Sequence, residues 1–165
     1  MKGCRTQLGL LIGLLTACGL GAQSLSIPPM TVMGGEPASL YLVLQTPPGK
    51  KAPVALQWHI RFPAGAVVEA KDIRVGSTAE SVQKSLACAI AKGAKPAPEF
   101  GNVFVCMLAG GQKPLPDGTV AVARYRIPVE LRRQELKARV EAILGVTVDL
   151  EKLSMPAAEG TVSVK

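Results

Sequence analysis

The sequence is poor in the side chains on which most catalytic and metal sites depend. Its 165 residues include one histidine, His59, and three aspartates that form no D-x-D run of the kind that binds calcium. It contains no G-x-S-x-G motif and no glycine-rich loop between a strand and a helix. The two cysteines beyond the N-terminal segment, Cys88 and Cys106, and one distant histidine are also too few ligands for a zinc site. We therefore expect no catalytic residue, no metal and no cofactor.

Aromatic residues are scarce as well, at 4% of the chain. The net charge of +7 comes from scattered basic residues with no aromatics between them to stack bases, which excludes a nucleic-acid partner. A sugar site built on a planar row of aromatics would have to use Tyr41, Phe100 and Tyr125, because Trp58 is predicted to lie in the core. This platform is thin, so carbohydrate binding is the second hypothesis.

Long hydrophobic runs are absent except at the start of the chain. Lys2 and Arg5 precede ten apolar residues, 8–17, which are too short for a transmembrane helix but typical of a signal peptide. Cleavage after Ala22 would leave a domain at 23–165, with 1–22 as the signal peptide. Alternatively, the LTAC sequence ending at Cys18 resembles a lipobox, and lipidated Cys18 would be the only membrane attachment. Both alternatives predict export in a bacterium, to the periplasm, the outer membrane or the outside.

After either cleavage, Cys88 and Cys106 are the cysteines that remain as candidates for pairing, an even number in an oxidising compartment. They lie in two apolar, strand-like runs separated by a polar loop, so a disulfide between them would link the arms of a hairpin. The chain-entropy model gives roughly 3 kcal/mol for closing a loop of this size.

The chain is organised around residues 54–62, with the sequence VALQWHIRF. Every second residue from Val54 to Phe62, including Trp58, is apolar, and the residues between them are mostly polar. Because side chains alternate in a strand, this pattern predicts a half-buried strand that Pro63 ends.

About nine such strands follow one another, and no convincing interior helix separates them. Parallel pairing would require long crossovers, so the sequence predicts an all-β, antiparallel, jelly-roll-like β-sandwich. Residues 130–138 are the one helix-compatible segment, and residues 103–108 should be deeply buried on both faces. In the strand around residue 144, five side chains are predicted to face the core: Val140, Ala142, Leu144, Val146 and Val148.

The order of these pieces resembles a cohesin-type domain over residues 24–165. The resemblance lies in GGEPASLYLVL, VALQWHIRFPAGAVVEAKDIRVGS, PDGTVAVARYRIPV and EGTVSVK. It implies a non-catalytic sandwich, related to carbohydrate-binding modules, that binds another protein through one sheet face. The disulfide pair is most similar to stand-alone, exported cohesin-like proteins.

The resemblance carries over no recognition residue. We take Tyr41, Gln57, His59 and Arg61 as candidates for a binding face, because each is predicted to point outward from its strand. The lead hypothesis is thus an exported binding or adhesion module with a protein partner. The alternative is a carbohydrate-binding module with a polysaccharide partner.

Overall fold

A computed structural model describes residues 22–94 and 97–165. Residues 1–21, which include Cys18 and all but the last residue of the predicted signal peptide, lie outside the described residues. The strands are β1 (Ser24–Ser26), β2 (Met30–Val32), β3 (Pro37–Gln45), β4 (Ala55–Pro63), β5 (Ile73–Val75), β6 (Ser85–Ile90), β7 (Phe100–Ala109), β8 (Gly118–Arg126), β9 (Glu135–Val146), β10 (Lys152–Met155) and β11 (Ala158–Val164). The helical elements are α1 (Ser77–Ser81) and two 3-10 turns, Ala70–Asp72 and Val129–Leu131. No helix in the described ranges is long and apolar enough to cross a bilayer.

The strands form two sheets that pack face to face, so the predicted β-sandwich is confirmed. The smaller sheet has the order β1-β3-β8-β5, and the larger has the order β2-β11-β9-β4-β7-β6 with β10 added beside β9. All pairs are antiparallel except β2 with β11. The extra strands relative to the predicted nine are short, and β2 forms in a proline- and glycine-rich stretch that composition predicts as a turn.

The core lies between the sheets, and β4 supplies its centre as predicted. Trp58, Ile60 and Phe62 of β4 are completely buried, while Gln57, His59 and Arg61 on its other side are half-buried. Phe62 meets Phe104 edge to face at 5.8 Å between ring centroids. Burial of these large side chains is the main stabilising contribution to the sandwich.

Cys88 and Cys106 form the predicted disulfide. They are directly opposite each other in the register of the β6–β7 hairpin, with an S–S distance of 2.04 Å. Cys106 is also the register partner of Trp58 on β4, so the disulfide lies on the core side of the sheet.

The helix-compatible segment at 130–138 does not form an α-helix. Only the 3-10 turn Val129–Leu131 forms there, and β9 begins at Glu135. Arg133 has a φ of 61°, which ends any right-handed helix, and the following residues pair with β11 instead. Pairing with a neighbouring strand therefore overrides a weak local helical preference.

A β-bulge in β9 reverses the predicted orientation of its second half. Gln57 is opposite Leu144 whereas His59 is opposite Glu141, so β9 has one more residue than β4 across this interval. Ala142, with a φ of 50°, lies in this interval. Val140 points inward as predicted, but beyond the bulge Ile143 and Gly145 are buried while Leu144 and Val148 are exposed. The inward placement of Ala142, Leu144, Val146 and Val148 is wrong because a bulge shifts the alternation by one residue.

A second bulge lies in β8. Leu42 pairs with Ala121 and Val43 pairs with Thr119, which leaves Val120 as the extra residue. Val120 and Ala121 are therefore both buried although they are neighbours in the chain.

Candidate functional site

The outer face of the larger sheet presents an apolar surface where β9, β4, β7 and β6 lie side by side. Leu144, Gln57, Met107 and Ala87 form one row across these four strands. The next row contains Val146, Ala55, Ala109 and Ser85. Leu144 and Met107 are 50% and 53% exposed, so this half of the face presents apolar side chains to solvent.

These two rows border a groove of about 340 Å³, the apolar groove. Among the described residues, the polar ones that line it are Gln57 and Lys152. The complete lining is Ala55, Leu56, Gln57, Met107, Ala109, Leu144, Gly145, Val146 and Lys152. Large exposed apolar residues gathered in a concavity are typical of binding surfaces, whereas single ones are ordinary surface features.

Two departures from the predicted pattern create the apolar groove. The bulge at Ala142 turns Leu144 and Val146 outward, and Met107 is exposed although residues 103–108 were predicted to be buried on both faces. β7 instead alternates normally, with Phe104, Cys106 and Leu108 buried and Met107 on the other side. Sequence reasoning missed these groove residues because an apolar residue in an apolar run gives no sign of which face it occupies.

Charged side chains of alternating sign, here called the charged row, occupy the other half of the face. Arg61 Nε donates to Glu141 Oε1 at 2.6 Å, and Arg139 Nε lies 3.0 Å from the second oxygen, Glu141 Oε2. Glu159 then binds Arg139 Nη1 at 3.5 Å and Lys137 Nζ at 3.2 Å. The side chains of Arg61 and Glu141 are only 15% and 21% exposed, so this pair holds a fixed geometry. The charged row is preorganised for polar contacts with a partner.

His59 lies between the groove and the charged row, opposite Val105 on β7 and Glu141 on β9. Its imidazole makes no hydrogen bond or ion pair with any described residue. The predicted outward orientation of Gln57, His59 and Arg61 is thus seen, and all three are on the surface formed by the groove and the charged row. Whether they bind a partner stays a prediction.

Tyr41, the fourth candidate, does not join them. It is 45% exposed on β3, which belongs to the smaller sheet and faces the opposite side of the sandwich. The other aromatics are buried: Trp58, Phe62, Phe100, Phe104 and Tyr125. The exposed row of aromatics that a stacking sugar site would use is therefore absent from the described residues.

The carboxylates that come together in the described residues share a cation. Asp149 and Glu151 both bind Lys51 Nζ, at 2.7 and 3.1 Å, and all three side chains are more than half exposed. Glu141 and Glu159 share Arg139 in the charged row. Residues 22–94 and 97–165 contain no group of three or more His, Cys, Asp or Glu that could hold a metal ion.

No family model and no curated protein matches this chain. Solved structures do match it in fold. A non-cellulosomal cohesin from Archaeoglobus fulgidus superposes with a TM-score of 0.67 at 14% identity, over 88% of this chain and 92% of that one. The cohesin of the OlpA cohesin–dockerin complex from Clostridium thermocellum gives 0.70 at 12% identity, over 88% and 100%.

A third match is the cohesin module of a family 33 glycoside hydrolase from Clostridium perfringens, with a TM-score of 0.62 at 11% identity over 88% and 96% of the two chains. Identities this low establish a common fold and nothing finer. Because the likeness spans nearly all of each cohesin and most of this chain, the predicted resemblance is confirmed at the level of architecture. This chain has a cohesin-like β-sandwich fold.

Proposed function

We propose that this chain is a non-catalytic module that binds a protein partner through the outer face of the larger sheet. The observation that carries the proposal is the apolar groove directly beside the preorganised charged row on one sheet face. Protein interfaces combine an apolar, desolvated centre with a polar rim, and this face offers both. An apolar side chain of the partner fills the groove, and its polar groups meet Arg61, Glu141 and Arg139.

The solved relatives in fold support a protein partner. The Clostridium thermocellum structure is a cohesin–dockerin complex, so a sandwich of this shape does present a surface to another protein. The chemistry of the partner's contact surface follows from the face itself: apolar at the β9–β10 end and of mixed charge beside Arg61. The charged row contains three cations and two carboxylates, which favours a partner with a slight acidic excess there.

Affinity capture with surface variants tests this proposal. Leu144→Lys places a charge in the apolar groove without disturbing the core, since Leu144 is half exposed. We expect a protein captured by the native chain from the producing organism to bind this variant at least about tenfold more weakly, because interface hot spots lie in desolvated apolar pockets.

Val148→Lys is the matched control. Val148 is exposed to a similar extent, 52%, but does not line the groove, so capture should be unchanged. Equal capture by Leu144→Lys and the native chain would contradict the proposed face. Capture of insoluble polysaccharide and of no protein would overturn the proposed function.

The module is exported. The Cys88–Cys106 disulfide supports this, because disulfides persist in oxidising compartments. The mature chain begins either at Gln23 or at a lipidated Cys18. The intact mass of the protein isolated from the producing cell distinguishes these two starts, and a full-length mass with both thiols free would contradict export.

A further inference from the structure

The outer face of the smaller sheet carries a cluster of cations that the proposed function does not use. Arg124 and Arg126 are exposed on β8, and Arg74 is exposed on the adjacent edge strand β5. None of these three guanidinium groups makes a hydrogen bond or ion pair with a residue in 22–94 or 97–165. They contrast with Arg61 and Arg139 on the larger sheet, whose charges are paired.

Tyr41 shares this face with the arginines. Tyr41 of β3 and Arg74 of β5 are both opposite Val122 of β8, so they lie in one row on either side of the central strand. Strands are about 4.8 Å apart and alternate residues about 7 Å apart along a strand, so the backbone positions of these four residues lie within an area of roughly 10 Å by 14 Å. A cavity of about 300 Å³ lies at its end, lined by Pro37, Val67, Asp72, Arg124, Tyr125 and Arg126.

The carboxylates close to this face do not neutralise it. Asp72 accepts a hydrogen bond from the backbone N–H of Glu69 at 3.0 Å, and Glu69 pairs with Lys71 at 2.9 Å. Glu36, immediately before β3, is exposed and is the remaining acidic group near Pro37. The three arginines therefore exceed the acidic groups of the face itself, and the surface is complementary to an anion.

We infer that this face, defined by Tyr41, Arg74, Arg124 and Arg126, binds a carboxylate-bearing polysaccharide. A guanidinium group binds a carboxylate through two parallel hydrogen bonds, which a flat array of arginines can repeat along a polymer. The exposed ring of Tyr41 supplies an apolar face on which a pyranose ring can stack. An uronate polymer offers both groups at once, a carboxylate and a sugar ring. The ligand lies across the sheet, on the side of the sandwich opposite the proposed protein-binding face.

Titration calorimetry with soluble polygalacturonate tests the inference, with dextran as the neutral polymer. We expect the purified protein to bind polygalacturonate and not dextran. The double variant Arg124→Gln/Arg126→Gln should raise Kd at least about tenfold, which corresponds to about 1.4 kcal/mol. Tyr41→Ala should raise Kd by about three- to tenfold, as loss of one aromatic contact does.

The double variant Lys50→Gln/Lys113→Gln is the matched control, because it removes the same charge from two exposed loop lysines. Its Kd should stay within twofold of that of the native protein. Leu144→Lys should also bind polygalacturonate normally, which separates this site from the groove on the larger sheet. Circular dichroism of each variant establishes that it is folded.

Four results would overturn the inference. They are failure to bind polygalacturonate, equal weakening in the lysine control, unchanged affinity in Tyr41→Ala, and equal or tighter binding of poly-glutamate. The second would identify unspecific charge attraction, and the last would identify an acidic peptide as the preferred ligand. Binding to vesicles of phosphatidylglycerol without binding to polygalacturonate would assign the face to a membrane surface instead.

Discussion

Trp58 makes both a favourable and an unfavourable contribution to the stability of the fold. Its side chain is fully buried between the sheets, next to Cys106 in the strand register. Its indole Nε1 is also buried and has no hydrogen-bond partner among the described residues. Burial of the ring stabilises the sandwich, whereas burial of the unpaired N–H costs about 1–3 kcal/mol.

Substitutions at Trp58 should therefore depend on whether the ring is kept. We expect Trp58→Ala to lower the free energy of unfolding by roughly 3–5 kcal/mol, because it leaves a large cavity. Trp58→Phe should cost far less, since it keeps most of the ring and removes the unpaired donor. Urea unfolding followed by circular dichroism measures both. Equal losses for the two variants would contradict this expected difference.

The strand β9 shows how one backbone irregularity redistributes a whole element between core and surface. Before the bulge Ala138 and Val140 face the core, and after it Ile143 and Gly145 do so. Ala142 adopts the left-handed region, which costs a residue with a Cβ roughly 1–2 kcal/mol. The bulge brings Ile143 into the core and places Leu144 on the outer face, in one row with Gln57 and Met107.

Glycine at this position tests the bulge. We expect Ala142→Gly to raise the free energy of unfolding by up to about 1 kcal/mol, because relief of the left-handed strain exceeds the entropy that glycine adds to the unfolded chain. Ala87→Gly is the control, since Ala87 is exposed on β6 with ordinary strand geometry, and it should be destabilising by about 0.5–1 kcal/mol. Denaturant midpoints provide the comparison, and a loss of stability in both variants would contradict the bulge.

At the scale of the whole molecule, the sandwich has one core and two exposed faces of different chemistry. The larger sheet presents the apolar groove and a nearly balanced charged row, and the smaller sheet presents Tyr41 with three arginines that have no partner among the described residues. Tyr125 belongs to the core instead, 3% exposed, with its hydroxyl 3.3 Å from the sulfur of Met30. Burial raises the pKa of Tyr125 to about 12 from 10.0. The stability of the fold therefore depends on pH in the alkaline range.

The sign of that dependence follows from the two states. Between pH 10 and about 12 the unfolded chain releases the tyrosine proton while the folded chain retains it, so stability falls as pH rises. We expect Tyr125→Phe to abolish a loss of roughly 2–3 kcal/mol over this window, at 1.36 kcal/mol per pKa unit. Burial lowers the pKa of Lys84 from 10.5, so this residue makes stability rise with pH below pH 10.5. The native protein and Tyr125→Phe share this effect, which therefore cancels when the two are compared.

Unfolding free energies of native protein and variant, measured from pH 9 to pH 12, give the difference directly. Tyr41→Phe serves as the control because its hydroxyl is on the exposed outer face, and its curve should follow that of the native protein. A parallel alkaline loss in Tyr125→Phe and native protein would contradict the role of Tyr125.

The sequence by itself determined the class of fold, the orientation of β4, the burial of Trp58 and the Cys88–Cys106 pair. These follow from local rules: alternation along a strand, turn-forming residues and the parity of cysteines. Tertiary structure decided which side of the sheet Leu144 and Met107 occupy, because either register of an apolar run would bury apolar residues. It also decided that Tyr41 lies apart from His59 and Arg61. Each of these candidate residues, Gln57 included, points outward from its own strand. Only the pairing of strands assigns a strand to one sheet or the other.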